Sequence, residues 1–462
     1  LARYELKDRS VLVLGLGRSG VAAARFLASE GSRVTVCDSK AADDLAASLD
    51  ALDGIDVELA LGSLDALEAA DKDLVVVSPG VPLSLPGLVK ARERGVPIVG
   101  EMELAASRIQ KPIIAVTGTN GKTTTASLIG HMLRSAGMRC PVAGNIGAPA
   151  ISMIVEANEA DRVVLEVSSF QLEAAPSLAA DIAVWLNATD DHLDRHGTFE
   201  NYVASKSKLF EQMASSGFGI YNAACDAVSD SVAVSVCNLA PFDATGKVLS
   251  SPGGARANRA WYEDGVMWVQ VDGVTPHRFP IDGLKLAGAH NIENMLAALL
   301  AVRLSGVEWE SMEDGLRSFE GLPHRVELVC EVDGVRYYDD SKGTNVGATV
   351  KAMEGFSEQL ILIAGGQAKG ADFAGLARAA EGRLKHAVLI GESAPAIQTI
   401  LEGIARTSRA QSMEEAVRMA SREASPGDVV LLSPACASFD MFKDYADRGE
   451  SFARAAKGLL DA

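Results

Sequence analysis

Several features of ordinary protein classes are missing from this chain of 462 residues. No apolar run approaches the roughly 20 residues that a bilayer-spanning helix needs, so insertion in a membrane is not expected. There is no block of lysine and arginine, and the formal charge is −18. A protein that grips nucleic acid by its phosphates carries a basic stripe, so nucleic acid is excluded as a partner. An anionic small substrate is not excluded, because a few local cations and backbone N–H groups can hold phosphate against the overall field. The six cysteines (Cys37, Cys140, Cys225, Cys237, Cys330 and Cys436) are scattered with no CxxC pair. That pattern argues against a disulfide framework or a cysteine-ligated zinc and fits a reducing cytoplasm. Residues 1–9 alternate charges and have no apolar h-region, so no secretory leader is expected there. Repeats and low-complexity stretches are also lacking.

What is present is material for several cores: 48% of the residues are apolar and 23% are charged, the balance of a soluble globular protein. The length predicts three domains. Short apolar runs alternate with helical patterns: Ser10-Val-Leu-Val-Leu14, Arg33-Val-Thr-Val-Cys37 and Asp73-Leu-Val-Val-Val77 in the first stretch, then Pro112-Ile-Ile-Ala-Val116, Val163-Val-Leu165 and Ile182-Ala-Val-Trp-Leu186. Strand–helix alternation with continuous apolar strands predicts parallel, doubly wound sheets, an α/β fold. Residues 219–282, with short strands and Gly/Pro turns, predict an antiparallel patch. Further strands are expected near 361–364, 387–390 and 429–432. The expected domains are 1–100, Rossmann-like; 101–321, a central P-loop-type mononucleotide-binding ATPase domain; and 322–462, Rossmann-like again.

Gly15-Leu-Gly17-Arg-Ser-Gly20 follows a strand and opens a helix, and Asp38 ends the next strand. This satisfies the dinucleotide fingerprint, but its physics is broader: glycines let the backbone approach closely and a helix N-terminus attracts an anion. NAD, the diphosphate of a UDP-linked molecule, and a tight turn without a ligand are all admitted.

Val116-Thr-Gly118-Thr-Asn-Gly121-Lys122-Thr123-Thr124 lies between a strong strand and a helix. In such a loop backbone N–H groups cradle phosphates, the lysine offsets β/γ charge and the next hydroxyl meets Mg²⁺. The glycine spacing departs from the general phosphate-loop pattern, yet the context predicts an ATP site. Glu166 closes one following strand, and Asp190-Asp191-His192-Leu-Asp194 lies just past another. Ligands in open parallel sheets bind beyond the carboxyl ends of strands, which makes Glu166 and His192 candidate Mg²⁺ holders alongside substrate phosphate. A histidine on Mg²⁺ is unusual, and a structural role for His192 stays open at this point.

Taken in order, further motifs carry a resemblance. They are Ser78-Pro79-Gly80, Gly144-Asn145-Ile146-Gly147, Glu166-Val-Ser-Ser-Phe-Gln-Leu-Glu173, Asp191-His192-Leu-Asp194, His290-Asn291-Ile-Glu-Asn294, Leu322-Pro-His-Arg325, Asp340-Ser-Lys-Gly-Thr344 and Leu432-Ser-Pro-Ala-Cys-Ala-Ser438. With the TGTNGKTTT loop they make the chain resemble the Mur ligases over essentially its whole length, and most closely the members that add D-glutamate. The resemblance implies ATP-dependent joining of D-glutamate to UDP-N-acetylmuramoyl-L-alanine through an acyl phosphate, in peptidoglycan synthesis, by a cytoplasmic monomer using two Mg²⁺.

On this resemblance Gly17, Arg18, Ser19, Asp38, Ser39, Ser78 and Gly80 line the UDP end, with Asn145 between it and ATP. Gly118, Asn120, Gly121, Lys122, Thr123 and Thr124 hold ATP, and Asn291, Asn294, Arg325 and Asp340 close around the nucleotide when the domains close. Lys342, Thr344, Lys369, Ser438 and Phe439 hold D-glutamate. Thr123, Glu166, His192 and a carbamylated Lys206 hold metal; Lys122, Glu166, His192 and Lys206 form the catalytic set. Both Lys206 and Lys208 would ordinarily be solvated helix residues. Carbamylation would turn Lys206 from a cation into a carboxylate.

The rivals are sister ligases that add alanine, a diamino acid or a dipeptide, folylpolyglutamate synthetase, an NAD-dependent oxidoreductase built on Gly15 to Asp38, and a nucleotide-binding switch. The diaminopimelate-adding enzymes carry Asp-Asn-Pro-Arg in the third domain; here the region after Gly391 reads Glu392-Ser-Ala-Pro395.

Overall fold

The computed structural model describes residues 4–64, 69–246, 257–286, 289–368 and 372–460, with the backbone alone at 194, 289 and 290. Among the described residues three sheets carry the fold, and the chain divides into two compact units: residues 1–282 with 293–318, and residues 283–292 with 319–462. No helix among the described residues is long and apolar enough to cross a membrane.

The first sheet runs β3-β2-β1-β4-β5, all parallel, with β1 Ser10–Leu14, β2 Arg33–Asp38, β3 Val57–Leu61, β4 Leu74–Val77 and β5 Ile98–Gly100. Strand β1 is apolar from Val11 to Leu14 because helices cover both of its faces. On one of them the helix Arg18–Ser29 buries Gly20, Ala23, Ala24 and Leu27, the i, i+3, i+4, i+7 stripe of an amphipathic helix. Burying a leucine such as Leu27 contributes about 2 kcal/mol.

The second sheet runs β14-β13-β12-β11-β10-β9-β6-β8-β7. Its strands are β6 Ile113–Thr117, β7 Val142–Gly144, β8 Val163–Glu166, β9 Ile182–Trp185, β10 Phe218–Asn222, β11 Asn238–Asp243, β12 Arg259–Glu263, β13 Val266–Gln270 and β14 His277–Pro280. The antiparallel patch is smaller than the sequence suggests. Strands β10 and β11 are parallel to β9, and β12 is parallel to β11; the antiparallel pairs are β12–β13 and β13–β14. One core cluster runs from Val11, Val13 and Leu27 through Met102 and Leu104 to Leu165 and Trp185, so the first two sheets share a hydrophobic interior.

In the second unit the sheet runs β15-β16-β20-β17-β18-β19: β15 Glu327–Val332, β16 Val335–Asp339, β17 Leu360–Gly365, β18 Leu384–Ile390, β19 Arg406–Arg409 and β20 Val429–Leu432. The β15–β16 pair is an antiparallel hairpin and the remainder is parallel.

Each sheet has a point where the strand order reverses, beside β1 and β4, around β6 between β8 and β9, and where β20 sits between β16 and β17. In open α/β sheets the crevice outside the carboxyl ends at such a point is where ligands bind. All three sets of sequence-selected loops fall there.

Candidate active site

In the first sheet the glycines of the 15–20 turn serve different ends. Gly15 has φ +91, and a Cβ on Gly20 would overlap the Gly15 carbonyl, so both are needed to close the turn. Ser78 Oγ donates to that same carbonyl at 2.8 Å, tying the end of β4 to the turn. A Cβ on Gly17 would meet nothing within 4 Å, and this glycine N-caps the helix Arg18–Ser29 without a side-chain bond. Its missing side chain leaves a helix N-terminus open to an anion. Asp38 braces the turn: Leu16 N–H donates to Oδ2 at 2.6 Å and Lys40 N–H to Oδ1 at 2.9 Å. Arg18 reaches across to the Gly147 carbonyl. Ser19 is half-buried, while Ser39 and Gly80 are exposed.

In the phosphate loop Gly118 has φ +152 and Gly121 φ +83, conformations that L side chains resist. A Cβ on Gly121 would also overlap the side-chain oxygen of buried Asn294. Asn187, just past β9, shapes the loop by accepting from the N–H groups of Thr119 at 3.1 Å and Asn120 at 2.9 Å. Thr125 donates to Asn294 at 3.2 Å. Lys122 Nζ folds back onto the carbonyls of Gly118 and Thr119, both at 2.8 Å, inside the cradle the spacing predicts. Thr123 is half-buried, and Thr124 and Asn291 are buried.

Lys206 is not a solvated helix residue. It is 1% exposed, and its Nζ donates to the Gly118 carbonyl at 3.0 Å and lies 4.6 Å from the Tyr202 ring centroid. Its helix, Phe199–Glu211, buries Tyr202, Lys206, Leu209 and Phe210 together, so the lysine stands in an apolar stripe. Burial, followed by the neighbouring Lys122 charge, holds its amine well below the usual lysine range, and Asp191 and Glu166 oppose that only in part. Burial disfavours a charged amine, and so does a like charge.

Glu166, at the end of β8, is 1% exposed. Its Oε1 accepts from Asn145 Nδ2 at 2.7 Å, while Oε2 is buried with no hydrogen-bond partner. A buried carboxylate oxygen left bare is costly, and a cation is the group that would satisfy it. His192 has φ +54, stands half-exposed beside Asp191 with Nε2 3.7 Å from Oδ2, and packs on Phe170 with ring centroids 4.8 Å apart.

In the second unit Asp340 is buried and accepts from Ser433 Oγ at 2.7 Å. Burial pushes its carboxyl up from 3.8 to about 7, while the Ser433 hydroxyl and the Arg325 charge pull the other way. Lys342 Nζ lies 3.6 Å from the Tyr445 ring centroid. Thr344 and Phe439 are exposed, Ser438 is buried, and Lys369 lies outside the described residues. Among the described residues, His324, Glu327 and Asp339 bring three ligand-type atoms within 4.8 Å. His324 Nδ1 bonds Asp339 at 2.7 Å and Glu327 accepts from the His324 N–H at 2.9 Å, so the cluster is satisfied internally.

Three family models match in chain order: the Mur ligase MurD-like N-terminal domain over residues 9–100, the Mur ligase middle domain over 116–302 and the Mur ligase glutamate ligase domain over 324–436. The UDP-N-acetylmuramoylalanine–D-glutamate ligase of Geotalea daltonii is 42% identical over 455 residues, 98% of each chain. The protein of the same name from Pelotomaculum thermopropionicum is 44% identical over 456 residues, 97% of this chain and 98% of its own. The chain belongs to the Mur ligase family. Its fold also matches the solved MurF ligase of Thermotoga maritima in complex with ADP, with a TM-score of 0.59 at 17% identity over 100% of this chain and 99% of that one.

In this Mur ligase the loops selected from sequence lie at the carboxyl ends of the strands, and two residues that shape them were not selected. One is Asn187, whose signal in the sequence is its place just after a buried strand. Arg448 is fully buried and donates to Ser341 Oγ at 2.9 Å, Ser341 O at 2.8 Å and Cys436 O at 3.1 Å, pinning the two loops that carry Asp340, Lys342 and Ser438. Burial lowers its pKa to about 10. The signal was an arginine on the Gly449, Phe452, Ala456 face of the helix Tyr445–Lys457.

Proposed function

We propose that this Mur ligase joins D-glutamate to the L-alanyl carboxylate of UDP-N-acetylmuramoyl-L-alanine at the expense of ATP, through an acyl phosphate, in the synthesis of peptidoglycan precursor. The observation that carries the reading is identity above 40% over nearly the full length with relatives of that name, and the phosphate loop with its two lysines supports it.

An amide forms from a carboxylate only after the acyl group is activated. The L-alanyl carboxylate attacks the ATP γ-phosphate, the bond to ADP breaks, and an acyl phosphate forms. Lys122 offsets charge on the transferring oxygens, and the loop N–H groups fix the phosphates, so the chain's contribution is positioning and electrostatics. The amine of D-glutamate then attacks the acyl carbon, loses a proton, and phosphate leaves.

The open end of the helix Arg18–Ser29, with Arg18, Ser19, Asp38 and Ser78 around it, is assigned to the UDP end. Lys342, Thr344, Lys369, Ser438 and Phe439 are assigned to D-glutamate. The bare oxygen of Glu166 fits a divalent cation, and Thr123, Glu166, His192 and a carbamylated Lys206 would hold Mg²⁺. Bound there, Mg²⁺ would supply positive charge to the polyphosphate. Carbamylation needs a neutral amine, the form that burial favours at Lys206.

The acyl phosphate is tested by labelling the L-alanyl carboxylate with heavy oxygen. One label per turnover should appear in the released phosphate. Unlabelled phosphate would overturn this route.

A further inference from the structure

His196 belongs to none of the roles above, yet both of its ring nitrogens are committed. It is 7% exposed; Nδ1 meets Glu173 Oε1 at 3.2 Å and Nε2 meets Ser169 Oγ at 3.1 Å. Glu173 is itself held by Arg195 at 3.3 Å, and Arg195 also donates to the Val81 carbonyl at 2.8 Å. Burial lowers the His196 pKa, and the charges of Lys206 and Arg195 add to this while Glu173 opposes it. A neutral ring that donates from Nδ1 to Glu173 and accepts at Nε2 from Ser169 satisfies every partner.

This fixed ring is one layer of a stack. Phe170 lies parallel to it, with centroids 5.3 Å apart and an interplanar angle of 8°. His192 packs against that same Phe170, and Tyr202 meets His196 edge-on at 5.2 Å. Tyr202 in turn shares a 2.9 Å hydrogen bond with Thr119 of the phosphate loop. The His196 N–H also donates to the His192 carbonyl at 3.0 Å, closing the helical turn Leu193–His196.

We propose that His196 is a positioning residue: anchored by Glu173 and Ser169, it holds Phe170 as a plate that sets the ring of His192. The inference rests on the reading that His192 serves the reaction. His192 is half-exposed, its own φ is +54, and Nε2 lies 3.7 Å from Asp191 Oδ2; its ring face packs on Phe170, and that contact constrains the plane of the ring. Misplacing a reacting or supporting group by about 1 Å costs up to about a hundredfold in rate.

A double-mutant cycle on the full-length protein tests this, with phosphate release at saturating ATP, Mg²⁺, UDP-N-acetylmuramoyl-L-alanine and D-glutamate as readout. His196→Leu should lower kcat about tenfold or more with the KM for D-glutamate within about twofold, and in a His192→Ala background the same change should cost under about twofold. His196→Phe keeps a flat ring on Phe170 and should recover most of the kcat lost by His196→Leu. Should His196→Leu fold poorly, Phe170→Leu removes the plate at a half-buried position and must show the same dependence on His192. Additive losses, or His196→Phe as slow as His196→Leu, overturn the positioning role while wild-type turnover keeps the ligase reading. A wild type that releases no phosphate overturns both.

Discussion

Lys122 and Lys206 donate to one acceptor, the carbonyl of Gly118, at 2.8 and 3.0 Å. Two lysines on one oxygen, one of them 1% exposed, is a poor arrangement for two fixed cations in a dry site. It suits a loop in which one lysine meets phosphate and the other is modified.

Lys122→Ala removes the cation proposed to meet the transferring phosphate. The variant should lose about a hundredfold or more in kcat with an unchanged far-UV spectrum and melting temperature. Lys122→Arg should not restore the rate, because the guanidinium fork is wider than an ammonium. Near-normal turnover in Lys122→Ala would remove this residue from the mechanism.

Lys206→Ala should be inactive, and millimolar acetate or propionate should restore part of the rate by supplying the missing carboxylate. Labelled bicarbonate should give a carbamate carbon resonance in the wild type that is absent from the variant. A wild type with no such resonance and a variant deaf to carboxylic acids would leave Lys206 as a plain amine.

Two glycine substitutions separate folding from binding. Gly121→Ala forces a side chain into φ +83 and against Asn294; such strain costs on the order of 1–3 kcal/mol, so both melting temperature and activity should fall. Gly17→Ala has open space and a negative φ. Its stability should hold while the KM for the UDP-linked substrate rises, because the methyl stands at the open helix end. An unchanged KM would remove that helix end from the binding site.

Glu101 gives a pH signature. It is 1% exposed, and burial raises its carboxyl from 4.5 to about 7 against the opposing bonds from Ile151 N–H and Gln171. The folded state therefore prefers the protonated acid. This stability is fully present below the unfolded value near 4.5 and is lost as pH rises through about 7. At about 1.4 kcal/mol per pKa unit, wild type should lose about 3 kcal/mol relative to Glu101→Gln between those limits. Denaturant melts of both proteins across that range check this; parallel curves contradict it.

Strands with two covered faces were the legible part of the fold. Val11 to Leu14, Ile113 to Val116 and Ile361 to Ala364 are continuous apolar runs because they lie inside parallel sheets. Edge strands left no such trace: Arg406–Arg409 and Val57–Leu61 are largely exposed. The parallel run through Asn238–Asp243 was hidden by Pro241, which reads as a break. It is tolerated because pairing with β12 begins only at Phe242. Glycines marked both loops: Gly15, Gly118 and Gly121 take positive φ values that L side chains rarely adopt, and Gly20 leaves room for the Gly15 carbonyl. Side-chain burial was not announced: Lys206 and Arg448 look like surface cations until the helix face they share with Tyr202 or Phe452 is counted.

The most direct measurement is phosphate release from ATP and Mg²⁺ with UDP-N-acetylmuramoyl-L-alanine, comparing D-glutamate, L-glutamate and no amino acid. The account predicts release with D-glutamate alone. Release with a different amino acid, or none with any of the three, would contradict it.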